Sequence, residues 1–298
     1  MNKDIYGIFP AMLTPFTENG IDFDAAAMHL DRMLNDGADG AFLCGSSAEM
    51  LSMSAEERMA LTKVACEVSA GRGEMIVQVG HPDFRVAKRL AEHAERCGAA
   101  AIAAIPPIYY TVSFESVLGW MQELAGATSL PTLYYHIPAS TGVTLTAEQL
   151  IKILALPGIA GMKFTATDFF ALDRVADTYP RAALYNGYDE MFFAGLASGA
   201  NGYIGASGNI LLPAVRRIYT AFAEGDNVRA RAVQSRLNRF LSAAFPLGFV
   251  AVCKAIRTLQ GIPMGQPRAP QSILEDAALR VVESELFPLV EALNAECK

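Results

Sequence analysis

Three consecutive stretches decide the architecture: Pro131-Thr-Leu-Tyr-Tyr-His-Ile-Pro138, Thr146-Ala-Glu-Gln-Leu-Ile-Lys-Ile-Leu154 and Gly158-Ile-Ala-Gly-Met-Lys-Phe-Thr165. The first and third are short apolar runs of strand length. The middle one sets Leu150, Ile151 and Leu154 at helical spacing behind Thr146-x-x-Gln149, a capping box whose side chains satisfy the orphan amides of a first turn. Strand, helix and strand in that order imply parallel pairing through a right-handed crossover. The same alternation runs along the chain, with a second capping box at Ser54-x-x-Glu57 and helical spacing of Leu61, Val64, Ala65 and Val68. Predicted strands cover 7–13, 40–44, 75–79, 100–105, 131–135, 159–163, 183–185 and 202–204. Eight such units closing on themselves predict an α/β fold, a (β/α)8 barrel. An open doubly wound sheet is the alternative, but no G-x-G-x-x-G follows the first predicted strand.

Beyond about residue 207 the pattern is purely helical. Val215, Ile218, Tyr219 and Phe222 share a predicted face, as do Val252, Ala255, Ile256 and Leu259, and Val282, Leu286, Leu289 and Leu293. The expected division is a barrel over 1–222 and a C-terminal helical extension over 223–298. That extension is expected to pack on the barrel or on another subunit, and no chemistry is visible in it.

The totals fit this picture. A chain of 298 residues with 52% hydrophobic side chains can fill two ordinary domains or one large barrel. Its net charge of −7, with basic residues scattered, leaves no nucleic-acid footprint. No apolar run approaches the roughly 20 residues of a membrane span. Lys3 and Asp4 are not followed by a signal-peptide core. Cys44, Cys66, Cys97, Cys253 and Cys297 are far apart, odd in number and never in a C-x-x-C pair, so a reduced, cytoplasmic protein is expected. His29, His81, His93 and His136 show no metal-binding spacing, and no metal is expected.

Lys163 carries the first chemical signal. It is one of seven lysines, and among them it alone sits inside a strand-like apolar run. Burial disfavours an ammonium relative to the neutral amine. A neutral amine in a dry pocket attacks carbonyls, the starting condition for Schiff-base catalysis. A strand-end lysine that reaches solvent or pairs with a carboxylate is the structural alternative. In a barrel, chemistry gathers where the strands end at their C-terminal side. Those junctions hold Gly45-Ser-Ser-Ala-Glu49, Pro106-Pro-Ile-Tyr-Tyr110, Tyr134-Tyr-His-Ile-Pro138, Lys163-Phe-Thr165, Asn186-Gly-Tyr-Asp-Glu190 and Ile204-Gly-Ala206. Gly45, Ser46 and Ser47 offer hydroxyls and amides in a tight turn, suited to a carboxylate. Tyr135 could relay protons or simply fill the core. Asp189 and Glu190 could hold sugar hydroxyls or merely begin a solvated helix.

Taken together, these segments resemble the pyruvate-dependent class I aldolase superfamily of N-acetylneuraminate lyase and dihydrodipicolinate synthase. The resemblance runs from Gly7-x-x-x-Ala-Met-Leu-Thr-Pro-Phe16 to at least Asn209. It includes Gly-Ser-Ser-x-Glu, Tyr109-Tyr110, Tyr135-x-Ile-Pro138 with Thr141-Gly142, Gly161-x-Lys163 and Gly202-x-Ile-Gly205. It implies Lys163 as the Schiff-base lysine with no other cofactor, Tyr135 as proton relay, and Ser46 and Ser47 as carboxylate and relay partners. Tyr110 would be an aromatic exchanged across a dimer interface in a homotetramer. Ser140 stands where the lysine-biosynthesis synthases carry a carboxylate-gripping arginine. Tyr185-Asn-Gly-Tyr-Asp-Glu190 and Ile137-Pro-Ala-x-Thr-Gly142 instead resemble the sialic acid lyase branch. There Asp189 and Glu190 would hold the sugar's glycerol tail and Thr165 would contact the sugar, with Gly187 and Gly205 also at the substrate. Ala48, His136 and Ala206 depart from the residues usual at their places, which leaves another 2-keto-3-deoxy sugar acid open as substrate, with pyruvate as one product. A 4-hydroxy-tetrahydrodipicolinate synthase and a non-catalytic barrel are the more distant alternatives.

Overall fold

A computed structural model describes residues 5–297, so Lys3, Asp4 and Lys298 lie outside the described residues. Eight parallel strands follow one another around a barrel: β1 Gly7–Ile8, β2 Gly40–Leu43, β3 Glu74–Gln78, β4 Ala101–Ala104, β5 Thr132–His136, β6 Ile159–Phe164, β7 Ala183–Asn186 and β8 Gly202–Tyr203. Ala11 bridges Phe42 to close the ring between β1 and β2. The strands are buried on both faces, which is why each reads as a continuous apolar run rather than an alternating one.

Each predicted strand is present, most of them shifted or trimmed at the ends. The largest difference is at the start, where 7–13 shortens to Gly7–Ile8. Pro10 has no N–H to give; Phe9 still donates to the Tyr203 carbonyl at 2.9 Å, and Ala11 forms only an isolated bridge with Phe42. A small antiparallel hairpin, Phe16–Thr17 with Gly20–Ile21, was not expected and fills the first strand-to-helix connection.

The connecting helices begin where a side chain can accept an orphan amide. Asp22, Ser54, Asp83, Ser113, Thr146 and Asp168 each cap the helix that follows, and both predicted capping boxes are formed. A cap of this kind contributes about 1 kcal/mol. The eighth helix, Gly208–Ala223, bends at Leu211 just ahead of Pro213, which cannot donate into the ladder.

Further helices at Asn227–Ala244, Phe249–Leu259, Asp276–Val281 and Phe287–Cys297 follow. Two expected inward positions are corrected. A π-helical turn, Val282–Leu286, adds a residue to the helical repeat. The buried series therefore runs Val282, Leu286, Val290, Leu293 and Cys297, while Leu289 is exposed. Leu259, at the last residue of its helix, is likewise exposed. Among the described residues no single helix is long and apolar enough to cross a membrane.

Candidate active site

Register builds the site. β5 and β6 pair with Tyr135 opposite Lys163, and β6 pairs with β7 so that Lys163 faces Tyr185. Alternation along the strands sends Tyr135, Ile137, Lys163 and Thr165 into the barrel mouth and turns Tyr134, His136 and Phe164 toward the helices. His136 stacks on Phe164 with ring centroids 5.3 Å apart. The unusual histidine thus lies behind the barrel wall, out of reach of a molecule in the mouth.

Lys163 is buried, 4% exposed, and its Nζ donates to the Tyr135 hydroxyl at 2.9 Å. The amine also sits 4.6 Å from the Phe42 ring centroid and 4.0 Å from that of Tyr135. Among the described residues no carboxylate forms an ion pair with it. The structural alternative for this lysine, solvent or an acid, is not what surrounds it.

The turn after β2 faces the amine. Ala48 and Met50 donate to the Gly45 carbonyl at 3.1 and 3.3 Å, and Glu49 donates to that of Ser46 at 3.0 Å. This folding-back leaves the N–H groups of Ser46 and Ser47 without a protein acceptor among the described residues, an arrangement suited to an anion. Ser46 Oγ is 3.5 Å from the Tyr135 hydroxyl. Ala48 keeps a negative φ, so the methyl that replaces a usual glycine costs no backbone strain.

On the opposite wall the two acids separate. Asp189 is buried and accepts from the Tyr203 hydroxyl, from Ser207 Oγ at 2.7 Å, and from the Ala206 and Ser207 amides at 3.1 Å each. Burial raises its pKa while these donors pull it down. A side chain at Gly205 would collide with the Asp189 carboxylate and the Tyr203 hydroxyl, so that glycine serves the network. Four donors thus converge on Asp189 and tie the loop after β7 to the loop after β8, while the residue also borders the cavity beside Glu190. Glu190 is half-buried, receives no donor from another residue's side chain or amide among the described residues, and has a pKa raised by burial. Thr165 Oγ1 is buried without a hydrogen-bond partner. It lies beside Gly187, where a Cβ would strike both Thr165 and the Lys163 Cε.

Between these walls runs a cavity of about 210 Å³, from Ser46 and Ser47 past Lys163 and Thr165 to Glu190, with Ala206 in its lining. Phe245 and Phe249, edge to face at 5.2 Å, supply its outer side. The C-terminal helices, expected to be silent, thus reach the site. A larger groove of about 410 Å³ at the other end of the barrel has its hydroxyls spent on backbone, Tyr6 on Arg181 O at 2.9 Å and Tyr179 on Ile151 O at 3.3 Å. Nothing converges there.

Tyr110 stands apart from the mouth within one chain. The loop after β4 carries it outward, 75% exposed, into a groove with Thr111, Ser140 and Thr144, so within one chain it does not adjoin Tyr135. Tyr109 is 91% exposed and holds a φ of 79°, a conformation an aromatic residue adopts at a cost of about 1 kcal/mol or more.

Comparison with known proteins fits this geometry. The family model described as dihydrodipicolinate synthetase family matches residues 4–286. An N-acetylneuraminate lyase of Rhizobium meliloti is 36% identical over 285 residues, 95% of each chain. The N-acetylneuraminate lyase of Mycoplasma synoviae superposes with a TM-score of 0.87 at 29% identity, covering 98% of each chain. A prophage protein of the dihydrodipicolinic acid synthase family from E. coli K12, solved in complex with pyruvate, gives 0.89 at 28% identity over 97% of this chain and 98% of its own. The chain therefore belongs to the dihydrodipicolinate synthetase family and is a carbon–carbon lyase of the pyruvate-dependent aldolase class.

Proposed function

We propose that the protein cleaves N-acetylneuraminate reversibly to pyruvate and N-acetylmannosamine through a Schiff base on Lys163. The observation that carries this is a buried amine bonded to a phenol and, among the described residues, paired with no acid, beside a turn whose Ser46 and Ser47 amides have no acceptor there. The Ser46 and Ser47 amides and hydroxyls hold the carboxylate of the open-chain keto acid, which brings its C2 ketone to Lys163. The amine adds to C2, water leaves, and the resulting iminium accepts the electron pair as the C3–C4 bond breaks. Tyr135 takes the proton of the C4 hydroxyl as that oxygen becomes the aldehyde of the departing sugar. Protonation at C3 and hydrolysis then free pyruvate and the lysine. The lysine supplies the electron sink, so this chemistry calls on no metal or nucleotide.

Glu190 and the unpaired Thr165 hydroxyl would meet the polyhydroxylated tail, while Asp189 keeps its loops in place. The N-acetylneuraminate lyase names of the relatives at 32–36% identity support this substrate. Ser140, on the exposed turn at Pro138–Thr141, offers no guanidinium for the second carboxylate of a dihydrodipicolinate-type reaction. Tyr109 and Tyr110, both exposed, would be buried against a second copy in a homotetramer.

A second reading is favoured by a specific feature. Ala206 and the Phe245–Phe249 pair make the tail end of the cavity less polar than a sialic acid would use, which suits a shorter 2-keto-3-deoxy sugar acid. Borohydride added with pyruvate should leave a reduced adduct on Lys163; its absence would remove every aldolase reading. Pyruvate release from a panel of sialic and deoxy-sugar acids separates the two substrates. Efficient cleavage of a deoxy-gluconic acid with none of sialic acid would reject the first.

A further inference from the structure

The turn that faces Lys163 is held from behind by the C-terminal extension. Glu49, which ends that turn, lies 2.6 Å from Lys254 Nζ, with both side chains fully shielded from solvent. The other Glu49 oxygen accepts the Arg268 amide at 2.7 Å. The Arg268 guanidinium grips Glu57 with two bonds, 2.6 and 2.9 Å, and the Ser52 carbonyl at 2.9 Å. Phe16 lies under both cations, 4.3 Å from the Lys254 amine and 4.1 Å from the Arg268 guanidinium carbon. Glu49 and Cys44, which bracket the turn, hold positive φ values of 63° and 54°. Non-glycine residues stay in that region only where their surroundings enforce it. An apolar pair of similar volume would stabilise the fold at least as well as a buried ion pair, so stability alone does not account for this one.

We propose that the Glu49–Lys254 pair, with the Arg268 amide, are positioning residues that hold the Ser46 and Ser47 amides in the pose that receives the keto-acid carboxylate. Affinity for the keto acid is thereby set from the C-terminal helices, through residues that do not line the cavity wall at the reacting carbon. This rests on the Schiff-base reading of the site. The linkage is short: Glu49 N–H donates to the Ser46 carbonyl at 3.0 Å, so releasing the Glu49 carboxylate loosens the peptide that orients Ser47.

The test follows borohydride trapping on the full chain as pyruvate is varied. Lys254→Met should raise the half-saturating pyruvate concentration by roughly tenfold or more, as displaced binding groups do, while adduct at saturation stays near the wild-type level. Glu49→Gln, which keeps the shape and loses the charge, should give a smaller rise of about threefold. Should Lys254→Met fail to fold, the Glu49→Gln/Lys254→Met double variant removes both buried charges and should show the same rise. Ile218→Ala, a cavity in the helix Gly208–Ala223, serves as a control for destabilisation and should stay within about twofold of wild type. Folded pair variants with wild-type half-saturation, or an equal rise in Ile218→Ala, would overturn the proposal. A wild-type protein that forms no adduct at any pyruvate concentration would instead overturn the Schiff-base reading.

Discussion

Lys163 and Lys254 are the two buried lysines of the described chain, 4% and 0% exposed, and they keep opposite company. Lys163 sits at the barrel mouth between aromatic rings with a phenol as its partner. Lys254 sits where the C-terminal helices meet the β2 turn, with a carboxylate at 2.6 Å. Burial pulls the Lys254 pKa below its ordinary value, and Glu49 pulls it back. The comparison teaches that burial does not make an amine reactive; what matters is whether an acid has been buried with it. One lysine is committed to an ion pair. The other is left for a carbonyl.

Replacing each by Met should separate the two roles most sharply. Lys163→Met is expected to abolish the trapped pyruvate adduct and to lower turnover by roughly 10³-fold or more, as loss of a covalent nucleophile does. Its unfolding midpoint should hold or rise, because no buried charge loses its partner. Lys254→Met should do the reverse: about 3–5 kcal/mol of stability lost in urea unfolding, since Glu49 remains buried and unpaired, with adduct still formed at saturating pyruvate. Equal stability losses for the two variants would break the comparison.

Much of this contrast is legible in the sequence. Lys163 stands out because β6 is buried on both faces and admits charge only for a reason. The strands were legible on the same ground, and the helix starts at Ser54 and Thr146 because capping boxes are local chemistry. Lys254 is not legible there, because a lysine beside Val252 and Ile256 looks like a helix residue that reaches water, and its partner Glu49 is distant in sequence. The Asp189 network is hidden for a similar reason: its donors on Tyr203, Ala206 and Ser207 come near only on barrel closure. The strain at Tyr109 and the π-turn at Val282–Leu286 have no residue-level signature at all.

A milder probe of buried groups with and without partners is acid. Burial lowers the pKa of His29 from 6.5 to about 3 and that of His136 from 6.5 to about 4. Both rings are neutral when folded, and each takes up a proton on unfolding below pH 6.5. The unfolded chain therefore binds more protons between the folded and unfolded pKa values, and stability falls as pH falls through that window. From pH 7 to 5 each histidine should cost about 2 kcal/mol. His29 Nε2 meets Asn209 at 2.8 Å, whereas His136 Nδ1 is buried without a partner. His136→Asn should remove its half of the pH dependence in urea titrations and leave adduct formation at pH 7 unchanged. A loss of adduct would mean the outer face of β5 is coupled to the mouth after all.

The smallest expected effect repeats the lysine comparison among carboxylates. Asp189 is the committed acid, with four donors, and Glu190 the uncommitted one. Glu190→Gln should leave the pyruvate adduct intact and lower kcat/KM for the sugar acid by about 1–2 kcal/mol, roughly tenfold, because an amide offers one acceptor fewer to the tail hydroxyls. Asp189→Asn should show itself instead in unfolding, since one of its new amide hydrogens would point at donors already facing that carboxylate. If Glu190→Gln left sugar kinetics untouched and Asp189→Asn altered sugar KM alone, the roles would be exchanged. Uncommitted acceptors would then be no guide to where this barrel meets its substrate, and the inference from Lys163 would have to rest on the phenol and the turn alone.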